Sequence, residues 1–195
     1  MSGTRAAPGE AGGFEIDWER AAAILPRYEG PGPRYTSYPT APVWGDAVGP
    51  QQLAEDLASW AARAADAPDE GLALYAHVPF CRSLCHFCAC NRVITRDAAL
   101  PERWLAEIER EIAAVRALVP SPPAATQLHW GGGTPTHLAP VQIRRLFRAM
   151  VDAFPLGAGA EVSIEVDPRV TTEEQVDVLR ELGFDRISLG VQDVD

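Results

Sequence analysis

The sequence predicts an α/β fold built on a parallel sheet, a partial (β/α) barrel with four strands present and an irregular N-terminal extension. Three observations carry this. From residue 72 onward, short apolar runs alternate with stretches of helical period. The alternation repeats every few tens of residues, the length a parallel crossover needs. Finally, four clustered cysteines, a triple glycine, "EVDP" and "VQD" each follow an apolar run, at the C-terminal end of a strand. In barrel-type α/β folds that rim carries the site.

Each element has its own signal. Residues 1–13, "MSGTRAAPGEAGG", read as a disordered leader. Residues 14–69 form an extension, rich in Pro, Gly and aromatics up to residue 49, that ends in a helix with Leu53, Leu57, Trp60 and Ala64 on one face. Residues 70–195 are the α/β core. "LALYAHV" reads as a buried strand leading into the cysteine loop. A long helix from about Pro101 carries Trp104, Ile108, Ile112, Val115 and Leu118 at helical spacing. "TQLHW" is the second strand and runs into "GGGTPTHL"; the following helix turns Leu146, Phe147, Met150 and Phe154 inward. "EVSIEV" is the third strand, and it stops at Asp167-Pro168 because proline disfavours a helical residue before it. Thr171 and Glu174 have capping-box spacing for a helix over Val176, Leu179 and Leu182, which Gly183 ends. "RISLGVQ" is the fourth strand.

Composition excludes several functions. A formal charge of −10 over 195 residues argues against a nucleic-acid surface, which needs clustered Lys and Arg. No segment approaches the ~20 apolar residues of a membrane span. The leader lacks the apolar stretch of a secretory signal, so the chain reads as cytoplasmic, where thiols stay reduced.

All 4 cysteines fall in "CRSLCHFCAC", residues 81–90. A disulfide framework is one reading, but bridges within so short a loop would constrain little chain. Cys81, Cys85 and Cys88 can wrap one corner of a four-iron cube, while Cys90 points to the opposite face of an extended backbone. That leaves an open iron for chemistry. Zinc is the competing reading, with His77 or His86 completing a tetrahedral set.

"CRSLCHFC" is the CxxxCxxC signature of the radical S-adenosylmethionine (SAM) superfamily, with an aromatic before the third cysteine. Further segments narrow the likeness: "DWERAAAILPRYEGPGPRYTSYPTA", "LYAHVPFC", "CACN", "QLHWGGGTPTHL", "SIEVDPR" and "SLGVQD". Together they resemble the oxygen-independent coproporphyrinogen III oxidases, from about residue 16 to the end. The resemblance implies a radical SAM barrel that oxidatively decarboxylates two propionates of coproporphyrinogen III, giving protoporphyrinogen IX in haem biosynthesis. Related haem chaperones share the cluster loop and the glycines but lack "RYTSYPT" and the fourth cysteine. They define the alternative, a haem-binding protein without decarboxylase activity.

By that resemblance Cys81, Cys85 and Cys88 hold a 4Fe–4S cluster whose open iron is chelated by SAM. Tyr75, Phe87, Gly132, Gly133, Thr134, Glu165 and Gln192 contact two SAM molecules, and Cys90 acts in turnover. A 5′-deoxyadenosyl radical takes hydrogen from the propionate β-carbon, and loss of carbon dioxide and an electron leaves a vinyl group. An electron donor and an acceptor are required, neither identified by the sequence. The triple glycine also fits a flexible turn, Glu165 a solvated strand end, and Tyr75 a core aromatic. His77, His86 and His129 read as structural.

An acidic chain must meet a tetracarboxylate locally. Arg34 can grip a carboxylate in bidentate fashion, and the hydroxyls of Tyr35 and Tyr38 can donate beside it; a proline-set turn is the plain alternative. The fourth strand has neither a following helix nor a further strand beside it. The sequence therefore reads as the N-terminal part of a longer enzyme, expected alone to bind iron weakly, to associate and to be inactive.

Overall fold

The computed structural model describes residues 17–27, 29, 43–46, 48–66, 71–86 and 88–191. The leader and "RYTSYPT" lie outside them. Backbone contacts divide the chain into two units, Met1–Ala47 and Val48–Asp195. In the first, Asp17 caps a short helix α1 (Trp18–Ile24) by accepting from the Arg20 amide at 2.9 Å, and a 3-10 turn, Leu25–Arg27, follows.

The second unit opens with α2 (Pro50–Asp66), whose first residue is a proline that has no amide to leave unpaired. Its less exposed face holds Leu57, Trp60 and Ala64, as the periodicity predicts. Leu53 instead stands 52% exposed, and Ala54 takes the inner position one residue along. Strands β1 (Leu72–Val78), β4 (Ala125–Gly132), β5 (Leu156–Val166) and β6 (Arg186–Leu189) form a wholly parallel sheet in the order β1-β4-β5-β6. Between β1 and β4 lie a two-strand parallel pair, β2 (Phe80–Cys81) with β3 (Val93–Ile94), and helix α3 (Ala99–Leu118). Helices α4 (Pro140–Ala153) and α5 (Glu173–Glu181) make the next two crossovers.

Neighbours in the sheet are consecutive repeats, and α3, α4 and α5 all pack on one face. The core joins Leu105, Ile143, Leu146, Phe147, Met150, Val178 and Leu179 of these helices to Ala76, Val78, Leu128, Trp130, Val162 and Ile164 of the strands. A sheet covered by helices on one face in sequential order is the wall of a barrel, not a doubly wound sandwich. Trp130 anchors it, packing edge-on against Phe147 and Phe184.

Several sequence expectations shift. "LALYAHV" is not buried on both faces: Ala76 and Val78 face the helices while Tyr75 is 57% exposed on the other side. β5 begins at Leu156, well before "EVSIEV", because its first residues pair with Ala125 across a register shift. The capping box of α5 lies one residue later than the spacing suggests. Thr172 accepts from the Gln175 amide at 3.3 Å, and Gln175 accepts from the Thr172 amide at 2.8 Å. The shift follows from Gln175 itself, whose buried amide also donates to the Thr136 and Leu138 carbonyls at 2.6 and 2.8 Å. With the helix so placed, Val178 turns inward and Val176 outward. Gly183 ends the helix at φ +88°, as expected. Among the described residues, no helix is long and apolar enough to cross a membrane.

Candidate active site

The strand face away from the helices is polar, and the parallel register sets its residues in rows. Tyr75 on β1 pairs with His129 on β4, His129 with Ser163 on β5, and Ser163 with Arg186 on β6. One step nearer the C-terminal rim, His77 pairs with Gly131, and Glu165 on β5 pairs with Ser188 on β6. These strands alternate apolar toward the helices and polar away from them. A parallel sheet with helices on both faces would lack that pattern. A shallow cavity of about 270 Å³ lies on this face, lined by Gln127, His129, Glu161, Ser163, Arg186 and Ser188.

Hydrogen bonds knit the face together. The Tyr75 hydroxyl bonds His77 Nδ1 at 3.0 Å, and His77 Nε2 bonds the Asn91 carbonyl at 2.8 Å. The Tyr75 ring stacks on His129 at 5.8 Å, and His129 Nδ1 bonds Ser163 Oγ at 2.8 Å. Glu165 Oε1 approaches His129 Nε2 at 3.7 Å, while its Oε2 accepts from the Gly132 amide at 3.1 Å. Tyr75 is thus no core aromatic, and Glu165 is no merely solvated strand end. Partial burial, then Glu165 and Cys90, push the Tyr75 hydroxyl above its ordinary pKa.

The glycines are needed for close approach. A Cβ on Gly131 would meet Glu165 Oε2 at 3.0 Å and the Tyr75 hydroxyl at 3.1 Å. Gly132 has φ +115°, a region side chains avoid. A Cβ on Gly133 would lie 2.8 Å from the Pro79 and Phe80 carbonyls and 2.9 Å from Cys81 Sγ. The Gly133 amide donates to the Val78 carbonyl at 2.9 Å, and Thr134 Oγ1 lies 3.5 Å from Cys81 Sγ. The flexible-turn reading of the triple glycine fails on these contacts.

The cysteine loop therefore rests against the glycine turn. Cys81 ends β2, Cys85 and Cys88 follow in a loop where the Cys88 amide donates to the Cys85 carbonyl at 3.1 Å, and Cys90 is exposed. All four thiols are free. Burial chiefly, then Cys88, Glu165 and Cys81, push the Cys90 thiol upward, so it belongs to the same cluster of groups. Arg169, just past β5, donates to Cys85 Sγ at 3.3 Å.

The donor set fits an iron–sulfur cube. It offers three free sulfurs on one loop, a backbone cradle that a Cβ at Gly133 would fill, and a cation beside one sulfur. Among the described residues, no three His, Cys, Asp or Glu side chains converge as the ligands of a single ion would. His77 is a poor zinc ligand here because both its ring nitrogens are already bonded.

Among the expected site residues, Tyr75, Gly132, Gly133, Thr134, Glu165 and the four cysteines come together on one rim. Phe87, Gln192, Arg34, Tyr35 and Tyr38 lie outside the described residues. The sequence reading took His77 and His129 as structural and gave no role to Gly131 or Arg169. The only signal for the histidines was their parity with Tyr75 and with Gly131 along their strands; for Arg169 it was proximity to "EVDP".

Comparison with known proteins places these features. The radical SAM superfamily matches residues 75–195. The oxygen-independent coproporphyrinogen III oxidase of Escherichia coli (strain K12) is 43% identical over 179 residues, 92% of this chain and 37% of that protein. The enzyme of that name from Synechocystis sp. is 40% identical over 177 residues, 90% of this chain and 36% of that one. The solved structure of coproporphyrinogen III oxidase from Escherichia coli, described as a radical SAM enzyme, aligns with a TM-score of 0.74 at 40% identity. That alignment covers 89% of this chain and 37% of the other. The chain spans little more than a third of the length of these relatives.

Proposed function

The chain belongs to the radical SAM superfamily, and we propose that it serves the oxygen-independent oxidative decarboxylation of coproporphyrinogen III to protoporphyrinogen IX. Superfamily membership implies a 4Fe–4S cluster and SAM. The observation that carries the finer reading is the seating of Cys81 against Gly133, which joins the cluster loop to the face bearing Tyr75, His129 and Glu165. In support, the likeness to coproporphyrinogen oxidases runs over 179 residues, into the sequence ahead of residue 75.

In this reading Cys81, Cys85 and Cys88 hold the cluster through their sulfurs. Bound together, cluster and SAM would supply one-electron reductive chemistry. The chain's own residues bind and orient. Gly132, Gly133 and Thr134 present backbone at close range, and Glu165 offers carboxylate oxygens to the amino or ribose groups of SAM. Tyr75 stands beside Glu165 with its hydroxyl protonated at neutral pH, and Phe87 and Gln192 complete the contacts to two SAM molecules. Cys90, free of the cluster, serves turnover. Residues 14–69 contribute substrate contacts through Arg34, Tyr35 and Tyr38, while residues 70–195 form the radical SAM core, in a cytoplasmic enzyme with a separate electron donor and acceptor.

The test is anaerobic turnover of coproporphyrinogen III with and without SAM, read by fluorescence of the oxidised product, beside iron and sulfide analysis. SAM-dependent protoporphyrin supports the reading. A loaded protein that binds haem and makes no product assigns the chain to the haem-binding alternative.

A further inference from the structure

We propose that Arg169, held by Asp167, is a positioning residue for the cluster, donating to the Cys85 sulfur and thereby raising the cluster's reduction potential. The inference rests on the cluster assignment proposed above.

Arg169 reaches Cys85 across 84 residues of sequence, Nη2 to Sγ at 3.3 Å. Its direction is not left to a flexible side chain. Nε donates to Asp167 Oδ1 at 2.9 Å, Nη2 to Oδ2 at 2.7 Å, and the Arg169 amide to Oδ1 at 3.0 Å. Asp167 is itself fixed by its carbonyl, which accepts from the amides of Val170 and Thr171 at 3.1 Å and from Thr171 Oγ1 at 2.8 Å. Thr171 Oγ1 in turn bonds Thr136 Oγ1 at 2.7 Å, in the turn that follows the glycines. The turn after β5, the turn after β4 and the cysteine loop are thereby tied together. An arginine serves here because its planar fork can satisfy a carboxylate and still spend a donor on a sulfur.

The electrostatic consequence has a definite sign. A reduced cluster carries one more negative charge than an oxidised one. A cation and a hydrogen bond at a ligating sulfur therefore favour the reduced form and raise the potential. Arg169 is 64% exposed, so water screens part of this effect.

The experiment is a redox titration of anaerobically reconstituted protein, followed by electron paramagnetic resonance, on wild type, Arg169→Met, Arg169→Lys and Arg169→Gln. At a fixed solution potential, the reduced-to-oxidised ratio should fall about tenfold in Arg169→Met, ~59 mV for a one-electron couple. Arg169→Lys should recover part of that loss, and Arg169→Gln, an uncharged donor, should fall between wild type and Arg169→Met. A wild type that takes up no iron overturns the cluster assignment itself. A loaded wild type whose potential is unchanged in Arg169→Met overturns only the role of Arg169. If Arg169→Met fails to load, Arg169→Gln decides, and an unshifted potential there overturns the proposal.

Discussion

Gly133 holds Cys81 at a distance no side chain would permit: a Cβ there would lie 2.9 Å from the sulfur and 2.8 Å from two backbone carbonyls. The carbonyls belong to Pro79 and Phe80, which lead directly into Cys81. Little can give way except the cluster loop. Gly133→Ala should displace that loop and cost about 1–3 kcal/mol, the usual range for overpacking. Iron content after anaerobic reconstitution should drop well below wild type. Gly157→Ala is the control, since its Cβ would meet nothing nearer than 3.4 Å. Equal iron loading in both variants would contradict the cradle.

Cys81→Ser, Cys85→Ser and Cys88→Ser should each abolish the broad visible absorbance of the reconstituted protein. Cys90 is exposed, and Cys90→Ser should keep most of its iron while impairing turnover. Equal iron loss in all four would show that the division into three ligands and one free thiol is wrong.

Glu165→Gln should weaken SAM binding by roughly tenfold or more. That loss corresponds to a charge-assisted hydrogen bond of about 1.5–3 kcal/mol. Equilibrium dialysis against labelled SAM checks it, and unchanged affinity would remove Glu165 from the SAM site.

The register of α5 can be read by stability. Gln175→Leu leaves the Thr136 and Leu138 carbonyls without their donor and should destabilise by about 2 kcal/mol in urea titration. Thr172→Ala should cost about 1 kcal/mol as a lost cap. Glu174→Ala should stay within about 0.5 kcal/mol. A large loss from Glu174→Ala and none from Gln175→Leu would restore the capping box to Thr171 and Glu174.

Arg145 on α4 spans Glu102 and Glu109 on α3, with both guanidinium contacts to Glu109 at 2.6 Å. Hydrogen bonding from Arg145 holds the Glu109 carboxyl below its ordinary pKa of 4.5. The stabilisation is therefore fully present above that value and is lost as pH falls through the lower folded-state pKa. Arg145→Met should lower stability modestly at pH 7, and its deficit against wild type should shrink on acidification below pH ~4.5. A deficit constant from pH 7 to the acid limit would mean that lost packing, not charge, is the cause.

The repeat order and the rim location of the site were legible in the amino-acid pattern. Both follow from local rules: period 2 or 3.6 for apolar residues, glycine where backbone must crowd, proline where a strand must stop. The spacing of "CRSLCHFC" put its cysteines on one short loop and left iron–sulfur and zinc both open. Tyr75 was harder. An apolar run cannot reveal which of its faces is covered, and only the one-sided packing of α3, α4 and α5 set Tyr75, His77 and His129 together on the open face.

Chain order and local chemistry therefore determined the βα repeats, the cysteine loop and the glycine turn. Tertiary packing decided the matters in which residues far apart compete for the same partner. Gln175 moved the α5 cap by one residue because two buried carbonyls in another turn required its amide. Arg169 was directed to Cys85, 84 residues away, because Asp167 and Thr171 fix the turn that carries it. Such choices lie beyond any local window, since a buried polar group left unpaired costs more than a shift in register, and only the assembled sheet shows which groups are buried.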